Sequence, residues 1–244
     1  MTVRVIVRSF SELCITVGAL IVLFVAYLLF WTGVKADSAA DHQIDDLHRQ
    51  WAHSASATPG PAAGASSPSK ASKPAGPKPA ATPAPVAYRA GKPFAVMYVP
   101  RLGRSWSRPV LQNTAVGTLQ RGLGHYTGTA RLGATGNFAV AGHRRTYGDP
   151  FKDFPKLRPG DAVVLTDGTT WYTYRIDKKP YLTVPSDTGV IAPVPVKSGF
   201  QGAGRYLTLT TCDPEWGSSH RLIAWGHLDS TQPVTQGKPA ALRG

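Results

Sequence analysis

One cysteine, one arginine and a choice of four histidines are the residues of this 244-residue chain whose types and spacing could do chemistry together. In residues 205–228, RYLTLTTCDPEWGSSHRLIAWGHL, two β-type runs (205–211 and 221–228) flank a polar segment containing Pro214 and Gly217. That pattern predicts a hairpin with a longish loop. Cys212 closes the first run and Arg221 opens the second, so antiparallel pairing sets a thiol opposite a guanidinium although eight residues separate them. A thiol beside a fixed cation gains thiolate character, or its acyl intermediate is stabilised. Thiol catalysis of acyl transfer also needs an acid for the leaving amine, ordinarily a histidine. His125, His143, His220 and His227 are available. His143 stands at a strand end in Ala141-Gly142-His143-Arg144, where function commonly gathers. His220 adjoins Arg221 and would face the other way in a strand, whereas His227 would share the arginine's face further along.

Other uses of these residue types are less well supported. No Cys/His pair has the close spacing of a structural zinc site, and no acidic cluster demands a cation, so neither metal nor cofactor is expected. Asn113 and Asn137 could orient an imidazole in a Cys-His-Asn triad, but neither spacing argues for it. Of the two cysteines, Cys14 lies in an apolar N-terminal run, which leaves Cys212 without a disulfide partner in the folded part. A lone thiol in an exported domain is a liability unless it reacts; the alternative is an inert buried cysteine. Lys and Arg outnumber Asp and Glu by 27 to 14, a formal net charge of +13. The excess is spread without a basic run or aromatic stacking motif, which argues against nucleic acid and for a basic surface near an anionic polymer such as cell wall.

The elements that must position these residues follow from composition and periodicity. Residues 1–12 carry Arg4 and Arg8, and residues 13–34, LCITVGALIVLFVAYLLFWTGV, are free of charge and long enough to span a bilayer. Asp37, Asp41, Asp45 and Asp46 follow, so the positive-inside tendency predicts a cytoplasmic N-terminus and an extracellular remainder. A cleaved signal peptide is the alternative, weighed against the length of the run and the interfacial Tyr27 and Trp31. Residues 35–53 place Ile44, Leu47 and Trp51 at helical spacing, a short amphipathic stalk or a helix lying on the membrane. Residues 54–86 are almost wholly Ala, Pro, Ser, Gly, Lys and Thr, the composition of a disordered tether. From 87 to 230 come seven or eight short strand runs with Gly- and Pro-rich turns: 94–99, a piece from 109, 137–141, 161–166 and 170–177 about an Asp167-Gly168 turn, 181–184, and the two of the organising hairpin. Residues 116–119 read as helix or loop, 187–204 as a long loop, and 231–244 as a disordered tail. Such a domain is all-β, a barrel or a sandwich.

Thr208-Leu209-Thr210-Thr211-Cys212, with Arg221 nine positions on and a strand ending in Gly142-His143 upstream, resembles the sortase family of membrane-anchored cysteine transpeptidases. The stretch 125–151, HYTGTARLGATGNFAVAGHRRTYGDPF, together with the Pro-rich tether, is similar to class E sortases of high-GC Gram-positive bacteria. The resemblance covers roughly 94–229. It implies an eight-stranded β-barrel with short helices in which Cys212 attacks the carbonyl between Thr and Gly of a C-terminal sorting signal. It further implies that His143 serves as acid and base, and that Arg221 holds substrate and stabilises the oxyanion. Leu-Ala-X-Thr-Gly is implied over Leu-Pro-X-Thr-Gly by class. The implied partners are exported proteins bearing the signal, a peptidoglycan-precursor or lipid-linked amine, and the membrane through the N-terminal helix; nucleic acid is not among them. Val190, Ile191 and Val194 in the loop before TLTTC, with Tyr147 and Thr211, are the implied substrate contacts; packing against the barrel is the alternative for the loop residues, and a plain surface aromatic is the alternative for Tyr147. An L,D-transpeptidase would use the same three residue types, but its Ser-His-Gly-Cys signature is absent. A tethered wall-binding domain with a spent site is a third possibility, disfavoured because Cys212, His143 and Arg221 are all present.

Overall fold

The computed structural model describes residues 2–56 and 87–243. The tether expected over 54–86 therefore lies outside the described residues from 57 onward, as does the Trp31 side chain. One helix, α1, runs unbroken from Thr2 to Ser56. Its N-terminal part contains a 24-residue window, Arg4–Tyr27, with mean hydropathy 2.1, long and apolar enough to cross a membrane. The amphipathic segment expected as a separate stalk is the continuation of this helix, because Ala36, Ala39 and Ala40 are strong helix formers and carry it through. Ile44 and Leu47 are buried against Val96, with Trp51 and Tyr98 packed around them.

Nine strands follow: β1 (Pro93–Tyr98), β2 (Ser107–Gln112), β3 (Leu123–His125), β4 (Gly136–Ala141), β5 (Ala162–Thr166), β6 (Thr170–Ile176), β7 (Tyr181–Thr183), β8 (Arg205–Asp213) and β9 (His220–Pro233). Eight of them close a barrel in the order β6-β5-β1-β2-β3-β4-β8-β9, sealed by β6–β9 pairing, while β7 is added to the side of β9. The pairings are antiparallel except β2–β3 and β4–β8. A short helix, α2 (Val116–Leu119), links β2 to β3.

Alternation decides the two faces. Ala95 and Met97, Phe138 and Val140, Val163 and Leu165, Leu207 and Leu209, and Leu222 and Ala224 point into one core at every second residue. On the outer face of β9, Ile223 and Trp225 are covered by Val190 of the 187–204 loop, with Tyr181, Ile191 and Phe200 packed around them. That loop is pinned there by its backbone, since Trp225 Nε1 donates to the Val190 carbonyl at 3.0 Å.

The disordered tail expected from 231 is corrected. β9 continues to Pro233, pairing Thr231, Gln232 and Pro233 with Tyr172, Trp171 and Thr170. Two 3-10 turns, Val234–Gln236 and Ala240–Leu242, follow it. The cause is the backbone pairing that seals the barrel, which holds polar residues in a strand even where the sequence lacks apolar alternation.

Candidate active site

The β8–β9 ladder pairs Cys212 directly with Arg221, with Thr211↔Leu222 before it and Asp213↔His220 after it. Alternation puts Thr208, Thr210 and Cys212 on the outer face of β8, and Arg221, Ile223 and Trp225 on the matching face of β9. β4 lies parallel to β8 on the other side, with Ala139↔Thr208 and Ala141↔Thr210 in register. The Gly142 amide extends this ladder to the Thr210 carbonyl at 3.1 Å. His143 follows two residues beyond Ala141, whose ladder partner Thr210 stands two residues before Cys212. Cys212 and Arg221 are thus aimed by strand pairing, while His143 stands at the head of the loop that leaves β4.

Cys212 is half-buried. Burial pushes the His143 imidazole below the usual histidine value, and its Nε2 is buried without a hydrogen-bond partner among the described residues. The Tyr147 ring covers it with centroids 5.3 Å apart, and the Phe151 amide donates to the His143 carbonyl at 3.0 Å. Arg221 Nη1 donates to the carbonyls of Ser218 at 2.9 Å and His220 at 2.8 Å, which fixes the plane of the guanidinium.

The residues after His143 and after Cys212 are tied together. Arg144 pairs with Asp213, and Arg145 pairs with Glu215 and, at 3.1 Å, with Asp149. The Arg145 guanidinium also lies over the exposed Trp216 ring, 4.5 Å from its centroid. These cross-links hold the histidine-bearing loop to the cysteine-bearing hairpin. They were missed in the sequence because the partners stand about seventy residues apart and charge alone marks neither.

Beside this group runs a cleft of about 90 Å³. Thr210, Arg221 and Ile223 form its strand side, and Val190 and Ile191 form its loop side. Tyr126 also lines it, with its hydroxyl 3.0 Å from Thr210 Oγ1. Of the expected contacts, Val190 and Ile191 therefore reach the cleft while Val194 does not line it. Thr211 is turned away: it is buried on the inner face and donates to the Gly142 carbonyl at 2.9 Å, so it braces the strand leading to His143. Its neighbour Thr210 takes the outward position. Tyr147 is exposed beside His143 and its hydroxyl accepts from Gln120 Nε2 at 2.9 Å. Tyr126 and Ile223 were missed by the sequence reading, although alternation from Arg221 would have found Ile223. A wider hollow of about 280 Å³ between α1 and the 148–153 loop includes none of the three central residues.

The remaining histidines have other duties. His125 is buried, with Nδ1 2.8 Å from Gln112 Oε1 and Nε2 3.0 Å from the Ala130 carbonyl. His220 is exposed beside Ser219, and His227 pairs with Asp177 at 2.8 Å on the surface. Asn137 serves the fold, donating to the Ala192 carbonyl at 3.0 Å and accepting from Thr208 at 2.9 Å.

A family model described as a sortase domain matches residues 97–229. Sortase SrtE1 of Streptomyces coelicolor is 36% identical over 242 residues, 96% of this chain, and the chain spans only 60% of that protein's length. Sortase SrtE2 of the same organism is 32% identical over 93% of this chain and 84% of its own length. Among solved structures, sortase E from Streptomyces avermitilis is 71% identical with TM-score 0.61, covering 64% of this chain and 100% of that one. Sortase E1 from Streptomyces coelicolor, solved with a tripeptide in the active site, is 38% identical with TM-score 0.60, covering 64% of this chain and 99% of that one. The family model spans more than half the chain, and Cys212, His143 and Arg221 all lie within it: the chain belongs to the sortase family, among relatives of its class E.

Proposed function

We propose that this chain is a sortase-type cysteine transpeptidase that cleaves a C-terminal sorting signal between Thr and Gly and passes the acyl group to a cell-wall amine. The observation that carries the reading is the direct pairing of Cys212 with Arg221, with His143 on the adjoining strand end. The cleft beside them supports a peptide substrate, since apolar Val184, Val190, Ile191 and Ile223 line it together with the polar Thr210, Asp187 and Arg221. The tripeptide held by the relative's active site supports the same reading.

A half-buried imidazole whose pKa burial lowers suits a base that takes the thiol proton as Sγ attacks the threonine carbonyl. The C–S bond forms, the carbonyl pair moves to oxygen, and Arg221 stabilises that oxyanion. Collapse breaks the C–N bond, and His143 gives its proton to the departing glycine amine, leaving a thioester on Cys212. The acceptor amine then attacks the thioester, loses its proton to His143, and Sγ leaves as thiolate and recovers that proton. Val190 and Ile191 contact the signal, and Tyr147 borders it; Val194 and Thr211 act through packing. Leu-Ala-X-Thr-Gly is the favoured signal, and a peptidoglycan precursor or lipid-linked amine is the acceptor. Anchored by α1, with Arg4 and Arg8 before the uncharged run 13–34 and Asp37, Asp41, Asp45 and Asp46 after it, the chain keeps its N-terminus in the cytoplasm and its barrel outside.

The test is turnover of quenched Leu-Ala-X-Thr-Gly and Leu-Pro-X-Thr-Gly peptides by the full chain in detergent micelles, with Cys212→Ala alongside. Cleavage by the wild type alone, faster for the alanine signal, is expected. Equal cleavage by Cys212→Ala removes the mechanism.

A further inference from the structure

The loop that carries His143 and Tyr147 is held from outside the barrel. Thr146, Tyr147, Gly148 and Asp149 run through four consecutive left-handed conformations, with φ of 73°, 50°, 80° and 45°. Three of the four carry side chains, and such a run persists only where surrounding contacts over-determine it. Within the loop, Asp149 accepts from the Thr146 amide at 2.6 Å and from Arg145 Nη1 at 3.1 Å. From β2, Arg108 Nη2 donates to the Gly148 carbonyl at 2.8 Å and to Asp37 Oδ1 of α1 at 2.8 Å. The approach is close: a Cβ at Gly148 would lie 2.5 Å from Asp37 Oδ1. Arg108 Nη1 donates to the carbonyl of Ser107 at 3.1 Å, so its own strand holds one arm of the fork while Asp37 completes the other. Asp37 sits one helical turn before Ala40, which with Ile44 and Leu47 forms the buried side of the docked helix.

We infer that the juxtamembrane part of α1 positions the histidine-bearing loop through Asp37, Arg108 and the Gly148 carbonyl, so that the helix anchoring the enzyme also holds its active site in working geometry. Asp37 and Arg108 are positioning residues; neither belongs to the cleft. A barrel detached from α1 keeps its strands and its Cys212–Arg221 pair, but loses the outer support of the loop. The kinetic part rests on the function proposed above, through the role of His143.

The experiment uses the full chain in micelles or nanodiscs and compares wild type with Asp37→Ala, Asp37→Glu and the undocking pair Ile44→Asp with Leu47→Asp. Amide hydrogen exchange across 144–151 and peptide turnover are both read. In Asp37→Ala and in the undocked pair, exchange in 144–151 rises by about tenfold or more while β8 and β9 keep wild-type protection. The same variants lose roughly tenfold in kcat with KM within about twofold, because a misplaced acid costs the chemical step rather than binding. Asp37→Glu restores most of both. Unchanged exchange and kcat in Asp37→Ala overturn the inference, and so does exchange that accelerates evenly over the whole barrel, which marks general loss of stability. If the wild type turns over no peptide, the transpeptidase reading falls while the exchange pattern still decides the coupling.

Discussion

Strand pairing sets Cys212 opposite Arg221 where β8 ends and β9 begins. Cys212 fills little core at its half-buried strand end, so Cys212→Ala should abolish peptide cleavage while lowering unfolding free energy by less than about 1 kcal/mol, measured by denaturant titration. Arg221 presents a planar fork already oriented by the Ser218 and His220 carbonyls. Arg221→Lys should therefore reduce kcat/KM by roughly 10²–10³-fold, because an ammonium reproduces neither that anchoring nor the remaining donors. Burial lowers the pKa of both His143 and His125. The folded protein then binds fewer protons than the unfolded chain between the ordinary value near 6.5 and the lowered ones. Stability should hold above about pH 6.5 and fall as pH drops through that window, and a ring-proton NMR titration of His143 should give a midpoint below 6.5. At this scale the sequence was informative, since the thiol and guanidinium faced each other on hairpin logic alone. The strand-end position of His143 singled it out among four histidines and the family resemblance strengthened that choice, whereas the β4–β8 pairing, between strands far apart in the chain, was not legible. Thr211 was placed wrongly for a plain reason: outward Cys212 forces its neighbour inward, and that neighbour braces Gly142 instead.

Among elements, those with period-two alternation could be read directly, which is why β1, β4, β5, β6, β8 and β9 were recognisable from their runs. β3 was not, because three residues containing Gly124 carry no alternation and owe their strand state to β2 and β4 on either side. The last stretch of β9 was missed because its polar residues are held by β6. That seam is tight: a Cβ at Gly226 would lie 2.5 Å from the Arg175 carbonyl oxygen. Gly226→Ala should accordingly cost about 1–3 kcal/mol by forcing β6 away from β9, read as a lowered denaturation midpoint. The helical spacing of Ile44, Leu47 and Trp51 was legible, but its partners Val96 and Tyr98 were not, since a stripe of apolar residues does not name the surface that covers it.

For the whole molecule, α1 joins two environments. Its first half is long and apolar enough to cross a bilayer and its second half is docked on the barrel through Ile44 and Leu47. The formal charge of +13 suits a surface working against an anionic wall, an attraction that salt weakens over a Debye length of about 8–10 Å. What the molecule is proposed to do can be read from a single covalent state. The full chain is mixed with Leu-Ala-X-Thr-Gly peptide, quenched in acid within the first turnovers, and weighed intact. An added mass equal to the peptide up to its threonine, present on wild type, absent from Cys212→Ala and lost on adding an amine acceptor, is the predicted result. Folded, reduced wild-type protein that carries no such adduct and releases no glycine-terminal fragment would contradict the account.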